Sequence, residues 1–268
     1  MRSLLKIGFG LLLLSFVLIG LSYSMLRAQG ASGPSNPGSR LVASDKRAFS
    51  GAVAIDVAGP INLTLRQGAT PSLEVRGEQR LLANIDTSVD GDTLHIGPRG
   101  ILLRHRQPIE VAVTVPALER LSFNGSGENV ISGFSGERIA LSLGGSGSVR
   151  FNGRYQKIEA SIHGSGDMEV TGGNSDKVEA AVVGSGQLTL VGAARTLEAQ
   201  MVGSGELDAR HLQSDEVDLE HQGSGTSTVY ARHKIAVALS GSGDATVHGN
   251  PDQRAVTRHG SGSVSFQD

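Results

Sequence analysis

Four carboxylates stand at one fixed distance before a repeated tripeptide. Glu159, Glu179, Glu198 and Asp218 each lie five residues upstream of a Gly-Ser-Gly. Carboxylates are the usual ligands of calcium and the usual acids and bases of glycoside hydrolysis. Two residues further upstream, on the same side of an extended chain, stand Arg138, Lys157, Lys177 and Lys234. Lys157/Glu159 and Lys177/Glu179 therefore read as neighbouring ion pairs on a solvated face. Thr196 and Glu216 occupy the corresponding positions before Glu198 and Asp218, so those two acids read as lacking such a base. Glu198, Glu216, Asp218 and Glu220 form the one acidic patch with the makings of a divalent-cation or cationic-ligand site. Other candidates are weaker. Asp167/Glu169 and Glu206/Asp208 form two more acidic pairs, separated by a stretch holding Gln187 and Thr189. That separation is about 10 Å if the stretches stack, too far for one shared ion. His221 interrupts an apolar series and reads as a hydrogen-bonded core histidine, because no paired-His or His-Glu-x-x-His spacing accompanies it. Arg104-His105-Arg106 reads as an exposed loop.

The elements that carry these residues follow from the repeat. Gly-Ser-Gly begins at Gly125, Gly145, Gly164, Gly184, Gly203, Gly223, Gly241 and Gly260, in steps of 18–20 residues. A fixed period of this size is the mark of a solenoid. Within each repeat the apolar residues alternate. Ile139, Leu141 and Leu143 are followed by Ile158, Ala160 and Ile162, then Val178, Ala180 and Val182, then Leu197, Ala199 and Met201. After each tripeptide a second short run alternates, as in Val149/Phe151 and Leu188/Leu190. Strict alternation means strands with one buried face. The sequence thus predicts an all-β, parallel β-helix with a coil of about 19–20 residues and Gly-Ser-Gly corners. Stacked at ~4.8 Å, the corners span roughly 35–40 Å. Eight equivalent serines argue for structure rather than for a nucleophile, and no Gly-x-Ser-x-Gly elbow exists. Each hydroxyl is expected to bond nearby backbone at its corner. In the last coil Arg254 and Arg258 replace apolar residues and read as a polar end cap.

Residues 1–30 have the form of a signal peptide or an uncleaved signal anchor. Arg2 and Lys6 precede an apolar run from Ile7 to Leu26, and Ala28-Gln29-Gly30 offers small residues for cleavage. Either form places the remainder outside the cytoplasm, in the periplasm or at the cell surface. Residues 31–44, rich in Pro, Gly and Ser, read as a disordered linker. Residues 45–268 read as one β-helix domain, with irregular first coils over 45–124 and regular coils over 125–268. In the former, Ala52–Val57, Ile61–Arg66, Ser72–Val75 and Ile109–Val115 alternate as strands, Asp90-Gly91 is a turn before Thr93–Ile96, and residues 97–108 are a loop.

Phe49-Ser50-Gly51, Ile61-Asn62-Leu63-Thr64-Leu65 and Leu94-His95-Ile96 read as opening strands, and the run from Ile109 to Val115, Pro116-Ala117-Leu118 and the Gly-Ser-Gly ladder read as the body that follows. Over roughly residues 48–265 this resembles the auto-transporter adhesin head GIN domain family of exported bacterial proteins. The resemblance implies a right-handed parallel β-helix and carries no catalytic residue across.

Composition narrows the function. There is no cysteine, hence no disulfide, thiolate metal site or cysteine nucleophile. A net charge of −2 without a basic block argues against nucleic-acid binding. No cofactor is implied. The leading expectation is a non-enzymatic module of the cell envelope with a structural or adhesin-like role, its partner an envelope protein or glycan. Membrane contact would come only through residues 7–26 if they are retained. The alternative is a polysaccharide lyase or hydrolase using the acidic stripe. It is poorly served by a chain with no Trp and three Tyr, because sugar sites usually carry exposed aromatic platforms.

Overall fold

A computed structural model describes residues 42–100 and 108–267. The N-terminal apolar segment, most of the predicted linker and Arg104-His105-Arg106 lie outside the described residues. Among the described residues no helix is long and apolar enough to cross a membrane. The chain is a parallel β-solenoid of about seven turns, as the alternation predicts.

Six long strands build the body: β9 (Glu128–Gly145), β10 (Ser148–Gly164), β11 (Asp167–Gly184), β12 (Gln187–Gly203), β13 (Glu206–Gly223) and β14 (Thr226–Gly241). Each is one whole coil, bent so that its first and last parts belong to two different faces. Each pairs in parallel with the next, and the repeats fall in register: Ile158 opposes Val178, Val178 opposes Leu197, and Gly164 opposes Gly184. Alternate residues enter a continuous core of Val, Ile, Leu, Ala and Met, with Phe123, Phe134 and Phe151 its bulkiest fully buried members. Three shorter strands finish this end: β15 (Asp244–His248), β16 (Gln253–Gly260) and β17 (Ser263–Gln267).

The corners need glycine for two reasons at once. At Gly184 φ is +128°, a conformation L side chains rarely adopt, and a Cβ there would sit 2.3 Å from the carbonyl oxygen of Gly164 one coil below. The corner stack is held by backbone: the Ser165, Ser185 and Ser204 amides donate to the carbonyls of Gly145, Gly164 and Gly184, each at 2.9 Å. The serine hydroxyls do not play the predicted part. Among the described residues none of them bonds backbone at its corner. They point to solvent, and Ser261 donates to the Ser242 hydroxyl at 3.0 Å. A ~4.8 Å backbone spacing does not forbid that contact, because the two side chains lean together.

The start of the solenoid is built differently. β2 (Ala54–Gly59), β3 (Ile61–Gln67), β6 (Thr93–Pro98), β7 (Ile109–Val115) and β8 (Arg120–Gly125) are parallel members. β1 (Val42–Arg47), β4 (Ser72–Glu78) and β5 (Ile85–Asp90) are not. β4 runs antiparallel to β7, β1 antiparallel to β4, and β5 antiparallel to β6 through the Gly91-Asp92 turn. One helical turn, α1 (Gln79–Leu82), lays Leu81 and Leu82 against the end of the core. Four expectations change. The first strand starts at Val42, inside the predicted linker, because Ala43 packs on the core and the whole strand pairs with β4. Ile85–Asp90 is a strand. β6 reaches Pro98, inside the predicted loop, because its last residues pair with β5. Phe49-Ser50-Gly51 is a connection rather than a strand, turning at Gly51 where φ is +100°.

The two ends are closed by arginines. Arg47 donates to the carbonyls of Ile85 (2.6 Å) and Leu82 (2.7 Å) and to the Thr87 hydroxyl (2.8 Å). At the other end Arg254 opposes Ile235 in register but turns over the Phe266 ring, 4.4 Å from its centroid. It also donates to Asn250 and to the Pro251 carbonyl, while Arg258 reaches the Gly262 carbonyl. These contacts agree with a polar cap over the last coil.

Candidate functional site: an outward trough with an ion-pair ladder

The candidate acids lie on one outward column, as alternation requires. Glu159, Glu179, Glu198 and Asp218 oppose one another on β10–β13, between inward columns ending in Leu219 and Val217. Arg120 and Ala140 continue the column toward the N-terminal end. Beside it the outward residues are short on four coils, Ser122, Ser142, Ser161 and Ala181, and longer on the next two, Gln200 and Glu220. Short residues beside long ones leave a shallow trough of about 700 Å³ along the solenoid axis, crossing six coils.

Its rim is a ladder of charge. Arg138 binds Glu159 at 2.9 Å. Lys157 bridges Glu159 and Glu179, both at 3.0 Å. Lys177 bridges Glu179 and Glu198, both at 2.8 Å. Each lysine thus serves the acid on its own coil and the acid on the next. The Arg138 guanidinium holds the Glu159 carboxyl below its ordinary value, and Lys177 followed by Lys157 does the same for Glu179. Lys157 and Lys177 are correspondingly raised by hydrogen bonds to these carboxylates. These directions favour the charged forms of Glu159, Glu179, Lys157 and Lys177, so these four groups hold one another in ion pairs.

The sequence reading of this patch needs one correction. Glu198 does have a base, Lys177 from the preceding coil, because the ladder runs across coils as well as along them. Glu216 meets Lys234 only at 3.9 Å. Among the described residues, Asp218 and Glu220 form no ion pair, and no group of three or more His, Cys, Asp or Glu converges closely enough to hold a metal ion. Glu198, Glu216, Asp218 and Glu220 share one face without gathering around a point.

His221 lies elsewhere, in the core. It is fully buried between Met201 and Leu239, and its Nδ1 meets the Ser227 hydroxyl at 2.8 Å across the Gly223-Ser224-Gly225 corner. Its Nε2 has no partner, and burial pushes the imidazole below its ordinary value. Tyr155, also buried, donates to the Leu118 carbonyl at 2.7 Å, and burial raises its phenol to about 12. Both serve the interior rather than the trough.

Stacked glycine corners, alternating coils and a short-residue outward column match a known architecture. A family model described as "Putative auto-transporter adhesin, head GIN domain" matches residues 53–251. The chain belongs to this family. No curated protein matches. Among solved structures it is similar to one named a putative adhesin from Parabacteroides distasonis, at 21% identity and a TM-score of 0.80, covering 85% of this chain and 97% of that one. A second named a putative adhesin, from Parabacteroides merdae, has 20% identity and a TM-score of 0.80, with 85% and 97% covered. A third, from Parabacteroides distasonis and named a putative lipid binding protein, has 25% identity and a TM-score of 0.80, with 85% and 98% covered. The first two likenesses are of fold alone.

Proposed function

We propose that this member of the head GIN domain family is a non-enzymatic module displayed outside the cytoplasm, where it binds a partner on its outward face. The observation that carries the reading is the ladder. The carboxylates and lysines best placed for chemistry hold one another at 2.8–3.0 Å, which makes them a rigid charged surface rather than a reactive centre. The adhesin family supports the same reading, as does the apolar Ile7–Leu26 segment for export. A glycosidase would need two carboxyls flanking one bond, one of them kept protonated. The shifts seen here go the other way: Glu159 and Glu179 are pushed down.

The test is display of the full chain on a non-adherent bacterium, scored for attachment to other cells and to envelope preparations. Attachment above the undisplayed control supports the reading. Release of products from polyuronides or peptidoglycan fragments by the purified protein would replace it with the enzyme alternative.

A further inference from the structure

His221 holds a core place that aliphatic side chains fill on the coils around it. On its inward column stand Ile162, Val182 and Met201 before it and Leu239 after it. A second apolar column breaks beside it. Met168, Leu188 and Leu207 lead to Ser227, which is buried as fully as the histidine. The two exceptions meet, Nδ1 against the Ser227 hydroxyl at 2.8 Å. Nε2 has no partner. It lies against the next corner, where a Cβ on Gly243 would stand 2.3 Å from it. That corner hangs on backbone bonds to the coil below. The Ser242 and Gly243 amides donate to the Gly223 carbonyl at 2.9 Å, and the Asp244 amide donates to the Gly225 carbonyl at 3.1 Å.

We propose that the buried His221–Ser227 pair is an acid latch: when His221 takes up a proton, the Gly241–Asp244 corner lifts off β13 and lets water reach the ring, while the coils up to β12 stay closed. The latch goes beyond the surface-binding reading and does not depend on what the outward face binds. A neutral imidazole carries one N–H, but an imidazolium donates from both nitrogens. Ser227 can accept from Nδ1. The second N–H meets no acceptor in the closed corner, and a buried charge without partners is costly. Lifting the corner solvates both, so protonation favours the open form. The surroundings do not supply a counter-charge in the core. Burial pushes the imidazole below its ordinary value, and the smaller opposing influence is the Asp244 carboxylate at the start of β15. Asp244 is exposed and already accepts from the Ser263 amide at 3.1 Å and the Ser263 hydroxyl at 2.6 Å. On β12 and β13, Glu198, Asp218 and Glu220 face outward. On β14, His233 and Lys234 are exposed, and His248 stands at the far end of β15. Arg258 shares the inward column but lies beyond Leu239. The strands that follow β14 are only five to eight residues long, so fewer ladder bonds hold that side of the latch.

The experiment is hydrogen–deuterium exchange of the full chain from about pH 7.5 to about pH 5, each rate divided by the intrinsic rate of its residue at that pH. One proton sets the limit. Protection of the Ser242, Gly243 and Asp244 amides should fall by up to about tenfold per pH unit below the ordinary imidazole value, while that of Ser165, Ser185 and Ser204 stays within about twofold. His221→Leu restores the aliphatic column and should abolish the fall. His221→Gln keeps a neutral polar side chain and should abolish it too, so the reading survives if the leucine variant packs badly. Ser227→Ala removes the Nδ1 partner but keeps the histidine, so protection at this corner should drop at every pH with the fall retained. A fall at Ser165, Ser185 and Ser204 equal to that at Ser242–Asp244, no fall at all in the wild type, or a fall that persists in His221→Leu or His221→Gln would each overturn the latch.

Discussion

Residues 128–241 and the described residues of 42–100 and 108–125 bury the same kinds of side chain with the same alternation, yet they are closed differently. The later coils are copies. Each presents its neighbour with a parallel strand, a glycine corner and an aligned apolar row, so the structure extends by repetition. The first turns cannot rely on a preceding copy. They end the stack with antiparallel strands β1, β4 and β5, a single helical turn and an arginine over the exposed carbonyls. Repetition makes a surface of regular columns, and irregularity makes an end. The candidate site belongs to the first kind, its acids standing on one column across successive coils.

The largest way to break the contrast is at a copied corner. Gly184→Val combines a positive φ with a contact 2.3 Å from the Gly164 carbonyl, so the cost should reach about 3 kcal/mol or more. In a chain of this size that lowers the melting temperature by roughly 6–12 °C. A comparable loss is expected at any regular corner. At the irregular end, Arg47→Ala removes four hydrogen bonds from a single guanidinium, one of them to the Asp45 carboxylate. We expect a loss of about 2 kcal/mol, with faster amide exchange confined to β1, β5 and α1 while the long strands keep their protection.

The core histidine sharpens the comparison within the copied region. Its folded-state value is depressed by burial, so the unfolded chain binds the proton more readily. Stability from this residue is therefore present above the ordinary imidazole value of 6.5 and lost as pH falls below it. Its contribution to the slope is at most about 1.4 kcal/mol per pH unit. His221→Leu should flatten that acid limb in urea titrations between neutral pH and about pH 5. The smallest effect is expected at the same corner as the largest. Ser185→Ala removes an exposed hydroxyl with no partner among the described residues, and melting should move by less than about 0.5 kcal/mol.

The body of the fold was legible because it depends on two local rules. Period-two alternation says which face is buried, and glycine says where the backbone must turn tightly or meet another backbone. The corner at Gly59 escaped notice because it is followed by Pro60 rather than Ser-Gly, although its φ is +92° and its carbonyl lies under Gly125. The reversal of β4 is set by pairing with β7, which a local pattern does not encode. Arg47 and its carbonyl partners are 35 to 38 residues apart and share no motif. At the site, the columns Glu159–Asp218 and Lys157–Lys177 were readable from spacing. The pair Lys177–Glu198 was not, because reading along a strand finds partners two residues apart and misses the partner one coil away.

Hydrogen–deuterium exchange across the corner amides tests most directly whether coil stacking at the glycines carries the fold. Ser165, Ser185 and Ser204 each donate to the corner below at 2.9 Å. Their amides should be among the slowest in the molecule, slower than those of the end strands β5 and β17, despite their exposed side chains. Exchange at these serines as fast as at the ends would contradict the account.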